Sequence, residues 1–160
     1  MDEETKKRVL RLINYGLYIM TAAHQGEIAA GAVNWLSQAS FKPPLVMAAV
    51  KAGSRLHDLI EESRGFVVNI LREDQKKVAE AFFAPSKVEG KTINGYKFEP
   101  APRTGAPILI DLPAWFEVLV KDVVKRGDHT VFVGEVVEVG LKEAQVRSIV
   151  LRDTGWFYGG

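Results

Sequence analysis

The sequence predicts a single antiparallel β-barrel that carries a few helical insertions. Apolar stretches of strand length recur between turn residues along most of the chain, and helix-like periodicity is confined to short segments between them. No GxGxxG follows the first predicted strand and no GxxxxGK[ST] occurs, so a doubly wound nucleotide-binding fold fits poorly. With 160 residues, the chain suits one domain spanning residues 1–160 that is large enough to bury a core.

The composition excludes several classes of function. Lys and Arg total 21 against 20 for Asp and Glu, so there is no basic field to attract nucleic acid or an anionic membrane. The absence of cysteine rules out disulfides, thiolate metal sites and cysteine nucleophiles. The three histidines are far apart in sequence, and we therefore expect no metal site. The charged start and the lack of a long apolar run predict a soluble, cytoplasmic protein.

The first part of the chain reads as one helix followed by strands. Apolar spacing predicts a short helix from Thr5 to Asn14 that ends near Gly16. Residues 17–23 and 28–36 read as strands joined by a hairpin turn at 24–27. Pro43-Pro44 precedes a continuous apolar run over 45–50, which is typical of a strand buried on both faces.

The middle of the chain alternates between capped helices and a buried strand. Ser54 is a suitable N-cap for a helix whose apolar stripe is Leu56, Leu59 and Ile60, and Gly65 is expected to end it. Residues 66–71 form an apolar run and predict a second buried strand. Residues 74–83 predict a second capped helix.

A long irregular segment precedes the clearest hairpin. Residues 84–107 read as a loop, which is either a functional lid or partner contact, or a solvated excursion. Residues 115–124 and 129–141 read as two strands joined by a tight turn at 125–128, with valines alternating along the second strand. Residues 148–160 predict one or two further short strands.

Two polar loops contain most of the candidate ligand-binding groups. The first is the segment Asn34, Trp35, Leu36, Ser37, Gln38, Ala39 and Ser40. Amides and hydroxyls crowded between apolar strands need partners, because a buried unpaired polar group costs about 1–3 kcal/mol. A flavin ring offers such partners along its pyrimidine edge, and Trp35 could stack on or flank it. The alternative is an ordinary polar hairpin whose tryptophan fills core.

The second polar loop leads into the predicted helix after Ser54. Lys51, Ser54, Arg55 and His57 converge on the start of this helix. Helix N-termini carry free N–H groups and a partial positive charge, so a phosphate group is favoured there. The alternative is a plain N-cap with exposed charges.

A third candidate is His129, which opens the alternating strand directly after Gly127-Asp128. It could hydrogen-bond a flavin or a nicotinamide donor from the barrel rim, although an isolated histidine at a hairpin end is also a common surface residue. Trp156 and Tyr158 are expected to be core or interface aromatics.

Three fragments occur in an order that resembles one known family. They are the SxxS-type loop before Pro43-Pro44-Leu45-Val46, the strand over 66–71, and Gly127-Asp128-His129 leading to Val133-Gly134-Glu135-Val136. Together they resemble the flavin reductase-like family of FMN-binding split-barrel proteins, across residues 17–160. The resemblance implies a Greek-key split β-barrel, a homodimer and FMN near the subunit interface.

The same resemblance implies roles for individual residues. Residues 34–40 would line the flavin ring and ribityl chain, and Lys51, Ser54, Arg55 and His57 would hold the phosphate. Asn69 would lie close to the flavin, and His129 would stand on the side of the reducing substrate, as the candidate catalytic residue.

The function that follows is an FMN-binding oxidoreductase that passes hydride from NAD(P)H through FMN to a flavin or protein acceptor. One alternative is a flavoredoxin-like FMN electron carrier that exchanges electrons with a redox partner protein without direct use of NAD(P)H. Another is a small barrel that binds a ligand without catalysis. A nucleic-acid binder should show a basic face with interleaved aromatics, so we expect no nucleic-acid binding.

Overall fold

A seven-stranded antiparallel sheet dominates the computed structural model, which describes residues 1–160. The helices are α1 (Glu3–Leu10), α2 (Arg55–Ser63) and α3 (Lys76–Ala81). The strands are β1 (Tyr18–His24), β2 (Glu27–Val33), β3 (Leu36–Ser40), β4 (Leu45–Lys51), β5 (Gly65–Ile70), β6 (Val88–Glu89), β7 (Thr92–Ile93), β8 (Tyr96–Pro100), β9 (Pro107–Leu109), β10 (Ala114–Lys125) and β11 (His129–Leu141).

The order of strands in the large sheet is β2-β1-β5-β10-β11-β4-β3, and every pair in it is antiparallel. Strands that are neighbours in the sheet but distant in sequence, such as β1 with β5 and β4 with β11, require Greek-key crossovers. The mainly β architecture with helical insertions is therefore confirmed.

β5 is buried on both faces because it separates two core clusters. Phe66 and Val68 pack into a cluster with α2, whereas Leu71 just beyond β5 packs into a second cluster with α3. Val67 on the opposite face packs in a smaller third cluster beneath residues 101–108. The prediction of a buried strand at 66–71 is confirmed, with none of residues 66–69 exposed to solvent and Ile70 half-buried.

β4 does not match its prediction. Val46, Ala48 and Val50 are buried, but Met47 between them is 45% exposed. The expectation of burial on both faces is wrong because only the inner face of β4 meets the core. Its partner β11 behaves in the same way, since Phe132 is buried while Val139 is 64% exposed.

The helices begin close to the predicted positions and end earlier. Ser54 caps α2 by accepting a hydrogen bond from the His57 N–H, as predicted, but the left-handed residue that ends the helix is Arg64 (φ 60°) rather than Gly65. α1 ends at Leu10 and buries no side chain. α3 is shorter than residues 74–83 and has no side-chain cap. None of the helices is long and apolar enough to cross a membrane.

Residues 84–107 are not an irregular loop. They contain β6, β7 and β8, which form a second sheet with β9. Asn94-Gly95 closes the β7–β8 hairpin with φ of 49° and 84°, the backbone that a two-residue type I′ turn requires. The prediction missed this turn signal because the adjoining strands are only two and five residues long. Ile93 is fully buried and anchors the sheet on the second core cluster.

The C-terminal prediction is also wrong. Residues 148–160 contain isolated bridges from Ser148 to Arg72 and from Val150 to Gly16, followed by a 3-10 helix over Leu151–Thr154. The final residues form no helix or strand, and Tyr158 among them contacts His129 at the start of β11.

Candidate functional site

A cavity of about 800 Å³ opens beside the barrel. Its walls come from β2, the β4–α2 connection, the segment 82–86, the start of β11 and the C-terminal tail. Most of the lining is apolar, including Ala30, Val33, Phe82 and Trp156, while cationic side chains lie at one end. A cavity of this size and character suits an organic ligand that carries an anionic group.

The cationic end of the cavity is the entry to α2. Lys51, Ser54 and Arg55 all line it. Gly53 adopts a φ of 79°, and Ser54 Oγ donates to the Lys51 carbonyl at 2.9 Å, so the chain folds tightly back into the helix. The first N–H groups of α2 have no helical carbonyl to bond, which makes this end of the cavity attractive to a phosphate.

Arg55 is already paired with a carboxylate. Its Nε donates to Glu27 at the β1–β2 turn, and this hydrogen bond lowers the pKa of Glu27 and raises that of Arg55. Both side chains are half exposed. The guanidinium is thus held beside the cavity while part of it stays open to a ligand.

His129 stands at the same rim because β4 and β11 pair in register. His129 lies opposite Lys51, and the Ala52 N–H donates to the Asp128 carbonyl at 2.9 Å. Nδ1 of His129 lies 2.8 Å from Asp128 Oδ1, and Nε2 lies 2.8 Å from the Tyr158 hydroxyl. The hydrogen bond from His129 is the main cause that lowers the pKa of Asp128. The pKa of Tyr158 is raised, mainly by burial and secondarily by the negative charge of Asp128.

Two buried donors near this rim have no partner. Asn34 Nδ2 and Trp35 Nε1 are shielded from solvent and make no hydrogen bond. The Asn34 side chain lines the cavity, and the Trp35 ring lies 4.5 Å from the His129 ring. Buried polar groups in native proteins are rarely left unpaired, so these two donors are candidate hydrogen-bond groups for a ligand.

The structure brings together five of the predicted site residues around this cavity. They are Asn34, Lys51, Ser54, Arg55 and His129. Trp35 lies next to them through its ring contact with His129, and together with Leu36 and Ser37 it also lines a second cavity of about 340 Å³ on the outer side of β4.

The remainder of the first polar segment is placed elsewhere. Residues 36–40 form β3, the edge strand beside β4, and not a loop. Gln38 and Ala39 are exposed and Ser40 is half-buried, with Gln38 Nε2 donating to the Ser40 carbonyl at 3.4 Å. These three residues therefore lie outside the cavity of this single chain.

His57 and Asn69 do not reach the cavity either. His57 is 5% exposed, and its ring nitrogens lie 2.7 Å from Thr130 Oγ1 and 3.0 Å from Asp58 Oδ1. Asn69 is fully buried, with its amide donating to the carbonyls of Ile19 and Pro107 and accepting from the Leu109 N–H. Because their polar atoms are already paired, both side chains hold elements of the fold together in this structure.

Sequence reasoning missed two walls of the cavity. One is the segment 82–86, which Ser86 fastens to the edge of β2 by accepting from the Ala30 N–H and donating to the Ala30 carbonyl. The other is the tail, where Trp156 and Tyr158 line the cavity, and Trp156 also packs against the second core cluster as expected. The clustered aromatic residues at 82–83 and 156–158 were the available signal.

The sequence matches a protein-family model described as "Flavin reductase like domain" over residues 10–158, nearly the whole chain. The chain belongs to this family. For this flavin reductase-like domain, the resemblance drawn from the sequence fragments is confirmed, as are the oxidoreductase class and the expectation of a flavin as the cofactor type.

Similar proteins support the same family. The NADH-dependent flavin reductase StyB from Pseudomonas fluorescens is 30% identical over 160 residues, covering 99% of this chain and 91% of the relative. Other relatives are longer, and the chain spans 46% and 38% of two of them.

Solved structures agree with this assignment. The flavin reductase-like domain superimposes on nitrilotriacetate monooxygenase component B from Mycobacterium thermoresistibile with a TM-score of 0.79 and 32% identity, covering 93% of this chain and 82% of that one. The styrene monooxygenase flavin reductase from Pseudomonas putida S12 gives 0.76 and 29%, covering 95% and 94%.

The cavity of this flavin reductase-like domain fits a flavin. The cationic end at α2 suits a phosphate, the apolar walls suit an aromatic ring system, and the unpaired donor of Asn34 suits a ring carbonyl.

Proposed function

We propose that this chain is an NAD(P)H-dependent flavin reductase that binds FMN in the 800 Å³ cavity and supplies reduced flavin, or its electrons, to a partner oxygenase. The observation that carries the proposal is the combination, in one cavity, of a cationic helix N-terminus, apolar walls and the unpaired buried donor of Asn34. The names of similar proteins, an NADH-dependent flavin reductase and a monooxygenase component, support the choice of donor and of partner.

The residues of the chain position the reactants. Lys51, Ser54 and Arg55 hold the phosphate of FMN, with the N-terminus of α2 contributing N–H groups. Asn34 and Trp35 donate to the polar edge of the ring. Bound flavin accepts hydride from the nicotinamide, a step that depends mainly on holding the reacting atoms about 3–3.5 Å apart.

His129 stands on the side of the nicotinamide donor. Its ring lies between Trp35 and Tyr158 at the rim, where it can contact the donor. Hydride transfer needs no proton from a side chain in the same step, so we assign to His129 the binding and orientation of the donor.

FMN is preferred in this proposal because of the charge at the α2 end. A terminal phosphomonoester carries nearly two negative charges at neutral pH, and the site offers Lys51, Arg55 and a helix N-terminus. The distinction from FAD is measured directly by comparing the affinities of riboflavin, FMN and FAD.

We also propose that the protein is a homodimer. The outer face of β4 and β11 presents Met47 with Val131 and Val133 in neighbouring register positions, and Ile13 and Trp35 border the adjacent 340 Å³ cavity. α1 buries none of its side chains in the single chain. A second copy of the chain would cover this face. Because Trp35 borders both this face and the candidate flavin site, the flavin would then lie close to the subunit interface.

The visible spectrum tests the function. Purified protein is loaded with FMN, desalted and titrated with NADH and with NADPH under anaerobic conditions. We expect NADH or NADPH to abolish the absorbance of the oxidised flavin at a rate compatible with catalytic turnover. Protein that retains FMN but is reduced only by a second redox protein would instead be a carrier, and protein that takes up no flavin would overturn the proposal.

A further inference from the structure

The C-terminal tail reaches into the candidate site through Tyr158. The phenol oxygen lies 2.8 Å from Nε2 of His129, and the Tyr158 ring meets the Trp35 ring edge-on with centroids 5.3 Å apart. The two hydrogen-bonded residues are 29 positions apart in the chain. A residue outside the barrel strands therefore completes the surroundings of His129.

The tail is held in this position from outside the cavity. The guanidinium of Arg11 lies 4.0 Å from the centre of the Phe157 ring, and its Nε donates to the Gly159 carbonyl at 3.0 Å. These contacts flank Tyr158 on both sides in sequence. Arg11 does not line the 800 Å³ cavity, so its contacts act on the tail alone.

Gly159 shows how closely the tail approaches the site. Its φ is 96°, and a Cβ at this position would lie 2.8 Å from the Trp35 ring. Only glycine satisfies both conditions, because side chains disfavour this backbone region and the tryptophan ring leaves no space. The tail is thus packed directly against Trp35.

The hydrogen bonds orient the His129 ring. In the neutral imidazole with Nδ1–H donating to Asp128, Nε2 is an acceptor and the Tyr158 hydroxyl donates to it. With both nitrogens occupied and only 13% of the side chain exposed, the ring is held in one orientation. Lys51 across the strand pair is the other charged group facing this cluster.

We propose that Tyr158 is a positioning residue for the nicotinamide donor, acting through His129, and that Arg11 maintains it by clamping the tail. This inference rests on the proposed flavin reductase function. It adds a specific determinant of donor binding in the C-terminal tail.

Tyr158→Phe tests the first half of this inference, because it keeps the ring and removes the hydroxyl. We expect the KM for NADH to rise about fivefold, the effect of one lost hydrogen bond, while kcat and the Kd for FMN change less than about twofold. Tyr18→Phe is the matched control, since the Tyr18 hydroxyl bonds no protein group and lies away from the cavity.

NMR of the histidine ring gives a readout that a general loss of stability would not move. In ¹⁵N-labelled protein, the Nε2 signal of His129 is assigned with a His129→Gln variant. Tyr158→Phe should shift this signal and leave those of His24 and His57 in place. An unchanged Nε2 signal together with an unchanged KM would overturn the inference.

Arg11→Ala tests the clamp through a residue that does not itself line the cavity. It should raise the KM for NADH in the same direction, and the double variant should be no worse than Tyr158→Phe alone, because both changes break one chain of contacts. Independent, multiplying effects would contradict the clamp, and Arg11→Ala keeps the inference testable even if Tyr158→Phe folds poorly.

These experiments distinguish an error in the proposed function from an error in this inference. Wild-type protein that binds no flavin would overturn the proposed function, while the NMR comparison still measures the contact between Tyr158 and His129. Wild-type protein that is reduced by NADH, with Tyr158→Phe indistinguishable from it in every readout, would overturn only the inference.

Discussion

His57 Nε2 lies 2.7 Å from Thr130 Oγ1, in a buried contact that joins the first turn of α2 to the start of β11. Ser54 and Arg55 precede His57, and His129 precedes Thr130, so this bond fixes the proposed phosphate end of the cavity relative to its histidine rim. The residue predicted to bind phosphate directly thus aligns the two parts of the site. Because hydride transfer requires accurate placement of the reacting groups, a contact that aligns the two parts of the site affects activity.

Lys51→Ala should weaken FMN binding without affecting riboflavin. The Lys51 ammonium lines the α2 end of the cavity, where only FMN places a phosphate. We expect the Kd for FMN to rise about tenfold, in line with the roughly 1.5 kcal/mol of a bond to a charged group. Fluorescence titration of both flavins measures this. Lys91→Ala, an exposed lysine outside the cavity, is the control. Equal losses for FMN and riboflavin would place the phosphate elsewhere.

Replacing each of two buried asparagines by alanine should affect different properties, stability in one case and flavin binding in the other. Asn69 makes three buried hydrogen bonds to the backbone, so Asn69→Ala should lower the free energy of unfolding by about 3 kcal/mol. Asn34 has an unpaired Nδ2, so Asn34→Ala should change stability by less than about 1 kcal/mol and weaken flavin binding. Urea denaturation and flavin titration measure the two effects. A stable Asn69→Ala protein with impaired flavin binding would restore Asn69 to the binding site.

Tyr158 should ionise above the ordinary tyrosine pKa of 10.0. Burial, followed by the charge of Asp128, raises its pKa, because both disfavour the phenolate. The folded-state pKa exceeds the unfolded value, so the contribution of Tyr158 to stability is complete below pH 10.0 and is lost as the pH rises through the raised value. A ¹³C NMR titration of the tyrosine ring carbons, assigned with Tyr158→Phe, measures it. A pKa of Tyr158 below 10.0 would contradict the packing described for the tail.

Met47→Glu should convert the proposed homodimer into monomers. Met47 is 45% exposed at the centre of the outer β4 face, and a second copy would bury the new carboxylate without a partner. Analytical ultracentrifugation across a concentration series measures the change. Phe83→Glu, a 53% exposed apolar residue beside the cavity, controls for a general effect of the added charge on association. A monomeric wild-type protein would overturn the dimer.

The barrel was predictable because its patterns are local. The apolar run at 66–71, the N-cap at Ser54 and the hairpin around 125–128 each carry a signal within a few residues, and the structure has all of them. The small sheet within residues 84–107 was missed because strands of two residues carry almost no periodicity, although Asn94-Gly95 marked its turn.

The candidate site was also predictable only where its residues are neighbours in the sequence. Lys51, Ser54 and Arg55 were identifiable because a cap and neighbouring cations at a helix start are sequence neighbours. The roles of His57 and Asn69 were not, because the partners that occupy their polar atoms are 73 and 38 to 50 positions away. Nor could sequence bring the tail to His129, since that contact depends on Arg11, Gly159 and Trp35 meeting in space. Secondary structure follows from short-range periodicity and capping, whereas the walls of the cavity follow from long-range packing that no local pattern encodes.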